Sequence, residues 1–199
     1  MKLKTKYTYE DDTEIGYGFP ADEAKSFIKT VRPFLVDKTL KQILVPDFYY
    51  GGEDADETET YPEWEKRTRA KYKEERFYNF MEWNDPIILK IGNEQLEISF
   101  SQPDRYIFSF NTVEAERIID TSKISLISAR KMKDSFLDVT CLYDKTVIGQ
   151  KIKDIDLVCD KDSDEPNDEY VDKIIITLSN DIRMYIQDMC DSACIEIVK

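Results

Sequence analysis

Residues 87–100 read IILKIGNEQLEISF and contain the clearest fold signal of the chain. Two apolar segments, 87–91 and 95–100, flank the turn pair Gly92-Asn93, and the second segment alternates apolar and polar residues. Alternation of this kind around a short polar turn is typical of a β-hairpin with one buried face. We therefore predict a hairpin that buries Leu89, Ile91, Leu96, Ile98 and Phe100 and directs Lys90, Glu97 and Ser99 to solvent.

Short apolar or alternating segments separated by polar turns recur through most of the second half of the chain. At 173–187, KIIITLSNDIRMYIQ predicts a second hairpin, in which Ile174, Ile176 and Leu178 approach Ile182, Met184 and Ile186. Short separations favour antiparallel pairing, since parallel strands need long crossovers. We predict a largely antiparallel sheet, or a curled barrel, over residues 86–199. Its other strands are expected at 106–110, 123–128, 136–143, 151–159 and 194–198.

Residues 1–85 mix element types. A strand is expected at 3–9, and a helix is expected from Pro20 to Val31, where apolar residues repeat at helical spacing and Pro33 follows. Residues 40–45 fit a helix or a strand, and an acidic loop lies near 51–60. Thr60 and Glu63 have the spacing of a capping box for a helix at 63–76. We predict an α+β protein, with the N-terminal helical region packed on the C-terminal sheet as one cooperative unit.

Charge is the strongest compositional feature. The 199 residues include 41 acidic and 28 basic side chains and no histidine, which gives a net charge of -13. The missing histidine removes the commonest general base and metal ligand. The chain also has no glycine-rich phosphate loop and no nucleophile elbow. Two carboxylate pairs, Glu94 with Glu97 and Glu114 with Glu116, have no pocket signature, so we expect no enzyme activity and no cofactor.

Two segments concentrate the acidic charge. Residues 154–172 contain nine acidic side chains and one lysine, and a smaller cluster spans 53–59. The larger segment does not match a calcium loop, because Glu165 stands where glycine is needed and Val171 where a bidentate glutamate is needed. We therefore predict no metal site and a surface for a basic protein partner. Its predicted contact residues are Asp160, Asp162, Asp164, Glu165, Asp168, Glu169, Glu53, Asp54, Asp56 and Glu57, with Tyr49 and Tyr50 as an aromatic anchor.

This surface sets the functional expectation. Carboxylates repel nucleic-acid phosphates and attract lysines and arginines, so direct nucleic-acid binding is not expected. The leading hypothesis is a small acidic cytoplasmic protein that binds another protein, as an inhibitor, an immunity-type neutraliser or a phage counter-defence factor, with carboxylates in place of nucleic-acid phosphates. A structural or assembly component is the alternative, and a carboxylate-dependent enzyme is third. No membrane-spanning or secretory segment is expected.

Overall fold

The computed structural model describes residues 21–46, 48–50, 55–72, 82–83, 86–100, 106–132, 135–161, 169–188 and 193–198. Three helices lie in these ranges: α1 (Ala21–Leu35), α2 (Tyr61–Tyr72) and α3 (Leu126–Arg130). None of them has the length and apolar composition needed to cross a bilayer. The strand predicted at 3–9 lies outside the described residues.

Twelve strands in the described ranges form two six-stranded sheets. Sheet 1 has the spatial order β6 (Tyr106–Phe110), β5 (Glu94–Phe100), β4 (Ile87–Ile91), β1 (Leu40–Val45), β8 (Phe136–Asp138), β7 (Ile118–Asp120). Sheet 2 has the order β2 (Phe48–Tyr50), β3 (Glu82–Trp83), β12 (Ala193–Val198), β11 (Arg183–Asp188), β10 (Glu169–Leu178), β9 (Ile152–Lys161). All pairs are antiparallel except β7 with β8. The predicted α+β class with a mainly antiparallel sheet is therefore confirmed.

Helix α1 follows the predicted apolar stripe, and Ala24, Ile28, Val31 and Leu35 are all buried. The expectation that Pro33 ends the helix is wrong, because the helix includes Pro33 and continues to Leu35. A proline in the last turn removes only its own backbone donor, and the Val36 N–H three residues later still donates to the Arg32 carbonyl at 2.9 Å.

Both predicted hairpins form. In the first, Leu89 pairs with Leu96 and Ile91 with Glu94 around a turn in which Gly92 has a φ of +63°. A Cβ at Gly92 would lie 3.2 Å from the Lys38 Cβ, so the turn has both a conformational and a steric reason for glycine. In the second, β10 pairs with β11 in the predicted register, with Ile174 opposite Ile186 and Ile176 opposite Met184.

Three further details of the prediction are wrong. Glu97 does not face solvent but is 1% exposed. The strand expected at 123–128 is replaced by α3, because the Ser125 hydroxyl accepts a hydrogen bond from the Ser128 N–H and caps a helix there. The strand expected at 136–143 ends at Asp138, and a 3-10 turn follows at Thr140–Leu142.

One continuous apolar core joins the helices and the sheets. The ring of Phe27 on α1 stacks on Phe108 of sheet 1, with 5.7 Å between centroids. The hydroxyl of Tyr106 in sheet 1 donates to the Asp172 carbonyl of sheet 2 at 2.7 Å. Sheet 2 therefore presents one face to this core, and its edge strand β9 runs beside α1.

Candidate functional site

The larger acidic segment lies at the edge of sheet 2. Asp160 is exposed near the end of β9, and Glu169 is the first residue of β10. The two strands still pair at this point, since Asp160 is opposite Tyr170 and Lys161 is opposite Glu169. The segment between them, 162–168, lies outside the described residues. It includes four predicted contact residues: Asp162, Asp164, Glu165 and Asp168.

Helix α1 contributes two cations to this edge. Lys25 Nζ lies 2.8 Å from Glu169 Oε2, and Arg32 Nη2 lies 2.7 Å from Asp154 Oδ1. The hydrogen bond to Glu169 is the main reason that the pKa of Lys25 is raised. Both pairs connect α1 to the strands. Because their side chains are about half exposed, each pair contributes little to the free energy of unfolding. Glu169 is thus partly neutralised within the chain itself.

Asp156 is a further carboxylate of β9. Asp156 is exposed, and its Oδ1 accepts a hydrogen bond from the Leu157 N–H at 2.8 Å. No ion pair to Asp156 occurs in the part of the chain that the structure describes. Asp156 and Asp160 are both exposed residues of this outermost strand of the sheet.

A thiol lies among these charges. Cys159 is half-buried on β9, and burial raises its pKa, although the nearby Lys25 ammonium acts in the opposite direction. Cys141 and Cys159 are free cysteines, and Cys190 lies outside the described residues. A raised pKa keeps the Cys159 thiol protonated at neutral pH, which makes it a poor nucleophile.

The smaller acidic segment lies before α2. Asp56 and Glu57 are exposed in a turn, whereas Glu53 and Asp54 lie outside the described residues. Glu59, which follows them, forms an ion pair with Arg67 on α2 at 2.8 Å. The predicted capping interaction is also present, because the Thr60 N–H donates to the Glu63 carboxylate at 2.8 Å.

The predicted aromatic anchor is far from the larger acidic segment. Tyr49 and Tyr50 belong to β2, one edge strand of sheet 2, and β9 is the other edge strand. Five strand spacings correspond to about 24 Å across a flat sheet. The side chains of both tyrosines lie outside what the structure describes. The fold thus places Asp160 on one edge strand of sheet 2 and the backbone of Tyr49 and Tyr50 on the opposite edge strand.

The carboxylate pair of Glu94 and Glu97 has a different role from an acid–base pair. The Glu97 carboxylate accepts hydrogen bonds from Gln95 Nε2, the Ser109 hydroxyl, and the N–H groups of Thr112 (3.0 Å) and Val113 (3.3 Å). Glu94 instead accepts from the Asn111 side-chain amide. These bonds occupy both Glu97 oxygens and fix the chain where it leaves β6.

No protein family model, curated protein or solved structure matches this chain. Within the described ranges, no three histidine, cysteine or acidic side chains converge in a way that could hold a metal ion. Sequence reasoning missed the two α1 cations and the exposed position of Asp156. The alternating segment DIDLVCD at 154–160 is the signal that could have located Asp156 on the outer side of a strand.

Proposed function

We propose that this chain is a cytoplasmic binding protein that neutralises a basic protein partner, as an inhibitor, immunity-type or counter-defence factor. In this proposal the helical N-terminal region packs on the antiparallel sheet and keeps the acidic edge in place. The carboxylates would occupy the lysines and arginines with which the partner otherwise contacts nucleic-acid phosphate. The observation that carries the proposal is the exposed carboxylates of edge strand β9, which leads into the most acidic segment of the chain.

Physical chemistry supports a role of this edge in partner capture. A net charge of -13 attracts cationic surfaces over distances comparable to the Debye length, about 10 Å at 0.1 M salt. Such attraction raises the association rate more than it lowers the dissociation rate. Long-range electrostatic attraction depends on the density of charge and does not need a fixed set of contacts. It is therefore compatible with carboxylates that follow one another along β9 and the segment after it.

The test begins with affinity capture from the native host, followed by kinetics with the captured protein. One variant neutralises Asp160, Asp162, Asp164 and Asp168 to asparagine. The matched control neutralises four acids elsewhere, Asp22, Glu23, Glu114 and Glu116. We expect the first variant to associate at least tenfold more slowly than wild type at low salt, and to differ little at high salt.

Two results would contradict the proposal. Equal slowing by both variants would show that only net charge matters and that the edge of sheet 2 has no special role. An association rate that does not depend on salt would remove electrostatic capture altogether. A defined homo-oligomer without any captured partner would instead favour the assembly alternative, and light scattering over a range of concentrations would detect it.

A further inference from the structure

Four side chains form a row across the outer face of sheet 2. Asp156 on β9 is opposite Ile175 on β10, Ile175 is opposite Tyr185 on β11, and Tyr185 is opposite Glu196 on β12. We call these four residues the outer row. Alternate side chains of a strand point to opposite faces, and the neighbours of Ile175 and Tyr185 in the sequence are fully buried in the core: Ile174, Ile176, Met184 and Ile186.

Exposure shows that the outer row faces solvent. Asp156 is exposed, and Ile175, Tyr185 and Glu196 have intermediate burial. Val158 and Val198, in the adjacent rows of the same face, also have intermediate burial. A β-branched and an aromatic side chain thus lie side by side at the centre of a partly exposed face. Tyrosine combines a large apolar area with a polar tip, which is typical of protein contacts.

The ends of the outer row are negatively charged. In the described ranges neither Asp156 nor Glu196 has a cationic partner, whereas Asp154 on the same strand is paired with Arg32. Lys173, on a neighbouring row, is paired with Asp172 at 2.9 Å. The outer row therefore offers two carboxylates with an apolar pair between them and is complementary to a cationic, apolar, cationic surface, while the exposed Arg183 lies in the adjacent row of the same face.

The spacing of the carboxylates indicates the shape of the partner. Three strand spacings separate β9 from β12, so the two backbones are about 14 Å apart. An α-helix rises 1.5 Å per residue and returns to the same side after 11 residues, or about 16 Å. Two lysines or arginines at positions i and i+11 can therefore each approach one carboxylate. Leucine-sized residues at i+4 and i+7 then lie over Ile175 and Tyr185.

We propose that the outer row binds a basic amphipathic helix of the partner protein, laid across strands β9 to β12. The inference rests on the proposed function and adds to it a docking surface and the shape of the partner. An extended peptide would add to a sheet at its edge, where free backbone groups are found. The outer row lies on a face, which helices cover in layered folds.

The probe is a synthetic 15-residue helical peptide with lysines at positions 2 and 13 and leucines at positions 6 and 9. The control peptide has the same composition, with both lysines in the first turn. Binding is measured by fluorescence anisotropy with the full chain at low and high salt. We expect Asp156→Asn/Glu196→Gln to weaken binding of the probe about tenfold at low salt. Tyr185→Ser should weaken it at both salt concentrations, because the contact it removes is apolar.

The matched control is Glu114→Gln/Glu116→Gln, which removes the same number of charges from exposed residues of the connection before β7. It should change the Kd less than twofold. Thermal unfolding of each variant shows whether it is folded, and Tyr185→Phe is a second variant that keeps the apolar area and should retain most of the binding that Tyr185→Ser loses.

Each remaining outcome has a definite meaning. Equal weakening by the two double variants would contradict specific binding at the outer row and would leave the charge-based function unaffected. Binding that needs Tyr185 but is insensitive to salt would keep the row and overturn the charge-based function. Absence of binding, or equal binding of the control peptide, would overturn the helical partner. Self-association that Tyr185→Ser abolishes would assign the face to a second copy of this chain.

Discussion

The Glu97 carboxylate accepts two hydrogen bonds from Thr112, one from its backbone and one from its side chain. The Thr112 N–H donates to Oε1 of the buried carboxylate at 3.0 Å, and the Thr112 hydroxyl donates to Oε2 at 2.9 Å. Asn111, just before it, has a left-handed φ of +57°, and its N–H donates to the Gln95 carbonyl at 3.0 Å. The chain therefore turns out of edge strand β6 at a point fixed by β5.

We expect Glu97→Gln to destabilise the protein by about 2–4 kcal/mol, because hydrogen bonds to a charged acceptor are strong and buried donors would be left without partners. The side-chain amide introduced by this substitution would also bring an NH2 group close to the N–H groups of Thr112 and Val113, which are donors themselves. Urea unfolding measures the change. Glu114→Gln, at an exposed position nearby, should change the free energy of unfolding by less than about 0.5 kcal/mol. Equal effects of the two substitutions would contradict the anchoring role.

The contact of α1 with sheet 1 gives a second prediction. Phe108 is fully buried against Phe27, so Phe108→Ala should lower the free energy of unfolding by about 3–5 kcal/mol. Phe34 is 38% exposed, although its ring is 5.8 Å from that of Phe110. Phe34→Ala should therefore cost less than about 1.5 kcal/mol. Chemical denaturation of both variants makes the comparison, and a larger loss for Phe34→Ala would mean that the helix is held differently.

Asp120 should titrate below its ordinary range. A hydrogen bond from Lys123 is the main cause of its lowered pKa, and hydrogen bonds from Ser122 add to it. A lowered carboxyl pKa contributes stability that is present above pH 3.8, the unfolded value, and is lost as the pH falls through the folded pKa. Carbon-detected NMR titration should show the Asp120 midpoint move upward in Lys123→Met and stay in place in Lys145→Met. An unmoved midpoint in Lys123→Met would exclude this ion pair in solution.

The pKa of Lys25 makes the stability depend on pH in the opposite direction, at alkaline pH. Its pKa is raised above 10.5, mainly by the hydrogen bond to Glu169. Stability from a raised lysine pKa is fully present below the unfolded value and is lost as the pH rises through the folded pKa. The stability difference between wild type and Lys25→Met should therefore shrink above pH 10.5. Urea unfolding from pH 9 upward measures it, and Lys29→Met, on an exposed position of α1, should follow wild type at every pH.

The local pattern of the chain predicted those elements whose partner is adjacent in sequence. Both hairpins are of this kind, since alternation and the turn residues determine which side chains meet. Glu97 shows the limit. A glutamate at an alternate strand position is predicted to be exposed to solvent unless a distant segment covers it. Here the covering residues, Thr112 and Val113, follow 15 and 16 positions later.

The same limit applies to the site. The sequence predicted where carboxylates concentrate, but Lys25 and Glu169 are 144 positions apart, and no local pattern indicates that they meet. The outer row has a similar origin, because its four members come from four strands and are aligned only by the register of the sheet. The short strand β7 gave no signal, since three residues cannot establish a period.

The position of β12 has a consequence for the order in which the protein can assemble during its synthesis. Strand β12 lies between β11 and β3, so β2 and β3 have no attachment to the rest of sheet 2 until residues 193–198 exist. Strand β1, by contrast, can pair with β4 as soon as residues 87–91 exist, and β8 adds to its other side almost a hundred residues after β1. Until residues 193–198 are synthesised, β2 and β3 can pair only with each other, and the nascent chain exposes a free edge of β3 that invites pairing with other chains.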